Sequence, residues 1–187
     1  MDDSTTDPEA VARLRATAHP VRLRIMSLLT AEAMSAAEVA RALDLTHANA
    51  SYHLRTLADA GLLVVAGEEK IRGGVAKRYQ HPWNETKMIA EDSSPEDYGA
   101  YVAAMAAEMT RRYGSQRRKG TLVDAELWVT PEVWEKVRDM VIEASKLIHA
   151  SAQPPRSEGT VHVGMTAAAF LMEDNGRAPD RGPWGSP

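Results

Sequence analysis

The 187-residue chain is predicted to be an α+β protein. Three observations predict it. From residue 8 to residue 60, capping residues precede apolar positions spaced three and four apart, the period of helices packed on a core. Residues 62–81 switch to a strand-like pattern that turns at glycines. Beyond residue 94 a long helical pattern leads into a strand–helix–strand order. A hydrophobic content of 44% is ordinary for a chain that buries a core. No apolar run approaches the roughly 18 residues of a membrane span, so no membrane partner is expected. The opening residues, Met1 to Asp7, are acidic and polar, unlike a secretory signal, and a cytoplasmic location is expected. Cysteine is absent, which excludes disulfides and thiolate chemistry.

Pro8 suits a first helical turn, and Val11, Leu14 and Ala18 follow at helical spacing. Ala18-His19-Pro20 ends that helix. A second helix, from Pro20 to about Thr30, carries Val21, Leu23, Ile25, Met26, Leu28 and Leu29; it is apolar on most sides, which predicts burial. Ser35 and Glu38 form a capping box, and Val39, Ala42 and Leu43 give a third helix its apolar face. After a break at Asp44–Leu45, Thr46 caps a fourth helix over 46–60, and Gly61 takes the position after a helix that favours glycine. Leu62-Leu63-Val64-Val65 reads as a strand, Arg72-Gly73-Gly74 as a turn and Val75-Ala76-Lys77-Arg78-Tyr79 as the returning strand. Helices, a short turn, a helix and then a hairpin are the order of a winged helix-turn-helix, placed at 8–83.

Ser94-Pro95-Glu96-Asp97 opens a long helix with a stripe of Tyr98, Tyr101, Val102, Met105, Met109 and Tyr113, ended by Gly114. Residues 84–120 are read as a linker and dimerisation helix. The basic run Arg111, Arg112, Arg117, Arg118 and Lys119 is read as a solvated helix end. Leu122 to Val129 reads as a strand. Thr130-Pro131-Glu132 starts a helix with Val133, Val137, Met140, Val141, Ala144 and Ile148 as its buried face, and Gln153-Pro154-Pro155 ends it. Thr160 to Met172 reads as a further strand. Together these predict a small β-α-β domain at 121–175. Residues 1–7 and 176–187 are expected to be disordered tails.

The net charge of −4 is unevenly spread. Residues 8–83 carry ten Lys/Arg and seven Asp/Glu, whereas residues 121–187 carry six and ten. A basic head on an acidic body fits nucleic-acid contact through the head. On a helical wheel of the fourth helix, Ala50, Leu54, Leu57 and Ala58 share one side. The opposite side shows Ala48, Asn49, Tyr52, Arg55 and Thr56, with Ser51 and His53 at its edges. Asn pairs with adenine, Arg with guanine, Ser or Tyr with bases or phosphates, and Ala48 leaves room for a thymine methyl. Thr46 and His47, at the helix start, offer backbone N–H groups to a phosphate. Lys70, Arg72 and Lys77, with Arg78 as a further candidate, would hold phosphates or enter the flanking minor groove, giving affinity and salt dependence. Each group also has a plain reading: Tyr52 and His53 as half-buried surface residues, and the hairpin cations as a solvated edge that discourages strand pairing.

Residues 13–80 resemble the ArsR-type winged helix-turn-helix transcriptional regulators of bacteria. The resemblance is carried by Leu14-Arg15-Ala16-Thr17-Ala18-His19-Pro20-Val21-Arg22-Leu23-Arg24-Ile25, Glu38-Val39-Ala40, Ser51-Tyr52-His53-Leu54-Arg55-Thr56-Leu57 and Gly61-Leu62-Leu63. It implies a homodimeric repressor that binds double-stranded DNA at an operator and changes its grip when an effector binds. Residues 121–172 lie outside it and look like the added regulatory or dimerisation domain of some members. The chain departs from the metal-sensing branch. It has no cysteine, its helix at 131–150 offers only Asp139 and His149, and its helix at 95–113 has no histidine, so no metal site is expected.

The expected function is a homodimeric DNA-binding regulator that reads an inverted-repeat operator with the helix at 46–60 and a basic wing. The alternative is a winged-helix protein–protein interaction module without a specific operator. No G-x-S-x-G, H-E-x-x-H or P-loop occurs, and no nucleophile is paired with a base, so neither an enzyme nor a cofactor is expected. Tyr98, Tyr101, Met105, Met109 and Tyr113 read as a dimer seam or core. Otherwise they line, with Trp128, Trp134 and Met165, a pocket for a small organic effector. His19, His81, His149 and His162 read as surface or satisfied core residues.

Overall fold

The computed structural model describes residues 7–72, 74–84, 94–115 and 120–172. Gly73 of the expected turn, Arg117, Arg118 and Lys119 of the basic run, and the tails at 1–6 and 176–187 lie outside the described residues. Asp7, read as part of the first tail, instead caps α1 (Pro8–Thr17): its carboxylate accepts from the Glu9 and Ala10 N–H groups. The next helix, α2 (Pro20–Leu28), is capped by a histidine. His19 Nδ1 accepts from the Val21 N–H at 3.1 Å.

A two-residue strand, β1 (Met34–Ser35), precedes α3 (Ala36–Leu43). The capping box forms in full. Ser35 Oγ accepts from the Glu38 N–H, and the Ser35 N–H donates to Glu38 Oε2 at 2.7 Å. Asp44 closes α3 in the left-handed region at φ 55°, which an Asp side chain tolerates better than most. Thr46 then caps α4 (His47–Asp59) through the Asn49 N–H at 3.2 Å. At its far end Gly61 has φ +70°. Gly61 N–H donates to the Ala58 carbonyl and Leu62 N–H to the Leu57 carbonyl, the paired closure that a left-handed glycine permits.

β2 (Val64–Ile71) and β3 (Gly74–Gln80) form the expected hairpin, with an irregularity between Val65 and Gly67. β1 pairs with the other edge of β3, through Met34 with Tyr79 and Ser35 with Arg78, in the order β1-β3-β2. Arg78 binds this sheet to the helices. Its guanidinium donates to Glu38 Oε2 at 2.9 Å, to Glu69 Oε2 at 3.1 Å and to the Ala33 carbonyl. The Ser35 N–H, with help from Arg78, holds the Glu38 carboxyl below its ordinary range. One core serves all these elements: Ile25, Leu29, Val39, Ala50, Leu54, Leu57 and Leu62 have no exposed surface. Burying each large aliphatic contributes about 1.5–3 kcal/mol. The long helix α5 (Pro95–Gly114), capped by Ser94, packs against α1 and α2 and is tied to α1 by Arg15 Nε donating to Asp97 at 2.8 Å.

Three expectations are corrected. The β-α-β unit does not form. Residues 121–130 and 160–172 have no regular secondary structure, and only its helix, α6 (Pro131–Ala150), is present. A strand needs a partner ladder. Among the described residues no backbone–backbone bond joins Leu122–Val129 or Val161–Met172 to another segment. Next, α6 buries no residue: Val141 and Ile148 are half-buried, and Val133, Val137 and Met140 face solvent. Its amphipathic face meets too little of the chain to be covered. Lastly, α2 is not buried all round. Ile25 and Met26 are buried, whereas Val21, Leu23 and Leu28 are half-buried, and Leu23 borders an open cavity beside α5.

Leu54→Ala should lower the unfolding free energy by about 2–5 kcal/mol, the cost of emptying a closed leucine site. Urea unfolding measures it. A loss under about 1 kcal/mol would show that α4 is not seated in this core.

Candidate nucleic-acid interface

The rotation of α4 is set by Ala50, Leu54 and Leu57, all with no exposed surface. The opposite face carries His47, Ala48, Asn49, Tyr52 and Arg55 into solvent, with Ser51, His53 and Thr56 half-buried at its margins. Tyr52 is 57% exposed. The first intrahelical bond of α4 runs from the Ala50 N–H to the Thr46 carbonyl, so the His47 and Ala48 N–H groups precede it at the positive end of the helix dipole. This end is thus equipped for a phosphate, and the exposed face combines amide, guanidinium and phenol donors with a methyl.

The hairpin presents Lys70, Arg72 and Lys77 to solvent, and among the described residues none of the three has an ion pair. Arg78 is different. It is half-buried, and its guanidinium is engaged by Glu38, Glu69 and Ala33. The cause is its position on β3 opposite Ser35, which turns it toward the capping box.

Behind the exposed face lies a cluster that the sequence does not announce. His53 of α4 and His19 at the start of α2 have ring centroids 4.9 Å apart, and Tyr52 meets His53 edge-on at 5.4 Å. Burial and the nearby Arg22 depress the His19 pKa, and burial, His19 and Arg22 depress that of His53. His53 Nδ1 and Arg22 Nε are buried without a hydrogen-bond partner among the described residues. Burial thus disfavours the charged form of both imidazoles where α2 supports α4.

The residues expected around an organic ligand are only partly gathered. Tyr101 and Met105 line a cavity of about 360 Å³ bounded by α2, α5, α6 and residues 165–167, and Met165 lines it too. Tyr98, Trp128 and Trp134 do not. Trp128 is 88% exposed because its expected strand does not form, and Tyr98 and Trp134 are half-buried elsewhere on their helices. The cavity instead recruits His81, Glu108, Arg112 and His149. His81 is a satisfied core residue: it is buried, with Nδ1 2.7 Å from the Leu62 carbonyl. Nothing in the local pattern marks it, since its position follows from where β3 ends.

A family model described as a helix-turn-helix domain matches residues 17–66, from the end of α1 into β2. This match supports a DNA-binding role in transcription regulation. No curated protein matches the chain. Among the described residues no helix is long and apolar enough to cross a membrane.

The histidine cluster gives stability a pH dependence. His19, His53 and His81 have folded pKa values below the ordinary value of about 6.5, so in acid the unfolded chain takes up protons first. The histidine contribution to stability should therefore fall as pH drops from about 7 through 6.5 and level off below the depressed values. His53→Phe should flatten part of that fall. Urea midpoints across this range, for both proteins, measure it; parallel profiles would remove His53 as a contributor.

Proposed function

We propose that the chain is a homodimeric transcriptional repressor of ArsR type that reads an inverted-repeat operator. In this reading α4 enters the major groove, with Asn49, Tyr52 and Arg55 on base edges and the N-terminal turn at Thr46–His47 on a phosphate. The β2–β3 hairpin acts as the wing, with Lys70, Arg72 and Lys77 along the flanking backbone. The observation that carries the proposal is the division of α4: one face sealed in the core, the other exposed and made of groups that pair with bases. A helix held so firmly can be offered to DNA as a rigid probe, with little ordering cost on binding.

Dimerisation is favoured by apolar surface that one copy leaves uncovered. Val102, Met109 and Tyr113 on α5 and Met140 and Leu147 on α6 are all at least half exposed. A two-fold pair would set two copies of α4 about 34 Å apart, one turn of DNA. Regulation by a small organic molecule completes the reading, since a cavity touches α2, the helix that supports α4. The role is binding, not catalysis.

A gel shift against duplexes from the chain's own upstream region, at several salt concentrations, tests this. Sequence-specific binding should persist near physiological salt; equal, salt-abolished binding to every duplex would leave only a protein-contact module. Arg55→Ala should cost about 1–3 kcal/mol on the operator and relax specificity at one position. Lys77→Ala should weaken all duplexes alike and reduce the salt slope by about one. Wild-type behaviour in both variants would contradict the assignment.

A further inference from the structure

We propose that the cavity between α2, α5 and α6 binds a neutral, mostly apolar ring compound bearing a single O–H or N–H donor, a phenol or an indole, and that this compound is the effector. The second half rests on the regulatory reading above; the first half does not.

Size and lining set the class of molecule. About 360 Å³ is at the small end of ligand sites, room for one or two rings. The walls are Leu23 and Met26 from α2, Met105 from α5, Val141 and Ile142 from α6, and Met165. Three methionines make such a wall adaptable to a flat ring.

The polar groups set the head. His81, 7% exposed, has Nδ1 2.7 Å from the Leu62 carbonyl. A carbonyl only accepts, so Nδ1 carries the hydrogen, and the neutral ring that burial favours has its lone pair on Nε2. His149 repeats the arrangement, with Nδ1 2.7 Å from the Ser145 carbonyl. Thr30 and Ser27 spend their hydroxyl hydrogens on the Met26 and Leu23 carbonyls, each at 3.0 Å. All four groups line the cavity, and each has acceptor capacity left once its donor is spent. A ligand that donates one hydrogen bond matches this set; one that only accepts leaves the buried His81 ring nitrogen unpaired, at a cost.

Charge decides between a neutral and an ionised head. Glu108 is 3% exposed, and Arg111 donates to both its oxygens. Arg112 stands 3.7 Å from the same carboxylate and donates to the Met165 carbonyl and Thr166 Oγ1 at 3.1 Å. Of these, Glu108 and Arg112 line the cavity, one charge of each sign, and the carboxylate is already engaged by Arg111, which disfavours an ammonium head. The listening groups are lone pairs and Arg112 is already occupied, which disfavours an anion.

The same imidazole connects the cavity to the reading head. His81 donates its backbone N–H to the Leu29 carbonyl at the end of α2, and its Nδ1–H to Leu62, just beyond α4. A ligand on Nε2 therefore acts on a ring that already ties both helices.

Calorimetry on the full chain, with phenol and indole against anisole and N-methylindole, tests the proposal. The methylated compounds keep the shape and lose the donor. Phenol or indole should bind saturably, one per chain, and at least tenfold more tightly than its methylated counterpart. His149→Phe keeps a ring against Trp83, whose centroid lies 5.6 Å away, and should narrow that difference severalfold. Met105→Trp should abolish binding of all four by filling the space. No saturable binding, or equal binding of methylated and free compounds, overturns the cavity assignment. Binding that leaves operator affinity unchanged overturns the effector assignment alone. Failure to bind any duplex condemns the reading head, while calorimetry still decides the cavity.

Discussion

The rotational setting of α4 is the constraint on which the rest depends. Ala50, Leu54 and Leu57 fall at spacings of four and three, and all three are sealed against α2 and α3. A turn of the helix by one residue would expose both leucines and carry Arg55, or in the other sense Asn49, toward the core without partners, each a cost of several kcal/mol. The outward face is therefore fixed by the inward one. The surrounding structure defends the same setting. The Thr46 cap fixes where the helix starts, the Gly61 closure fixes where it stops, and Arg78 anchors the hairpin to the capping box of α3.

What was legible in the sequence is what local chemistry decides. Caps act within four residues, so Ser35 with Glu38, Thr46, Ser94 and Thr130 each appear where the pattern placed them. The hairpin was legible because two strands joined by a tight turn supply each other's hydrogen bonds. β1 was not, since two residues carry no period and pair only through the distant Tyr79 and Arg78. The expectation of strands at 122–129 and 160–172 failed for a related reason. Alternation records which residues would line a strand, not whether a partner edge exists. The ion pairs of Arg78 were not legible either, because a basic residue on a hairpin looks like a surface cation until its cross-strand neighbour is known.

The candidate ligand cavity teaches the same lesson from the other side. Tyr101 and Met105 were visible as part of a helical stripe. His81, Glu108 and His149 come from three separate elements and meet only through tertiary packing. The reach of this cavity toward Leu29 and Leu62 also gives the histidines of the head a shared logic. His19, His53 and His81 each stand where a helix of the reading unit begins, is supported or ends, and burial lowers the pKa of each. An imidazole nitrogen can accept a hydrogen bond, as His19 does from Val21 to cap α2, while its ring meets His53 of α4.

The central claim is that a rigid α4, presented twice by a symmetric pair, reads base edges. Selection of bound duplexes from a random-sequence library, followed by sequencing, tests it most directly. The account predicts an enriched inverted repeat whose half-sites are centred about one helical turn apart, roughly 10 base pairs. Recovery of duplexes with no common sequence, or of a single unrepeated half-site, would contradict it.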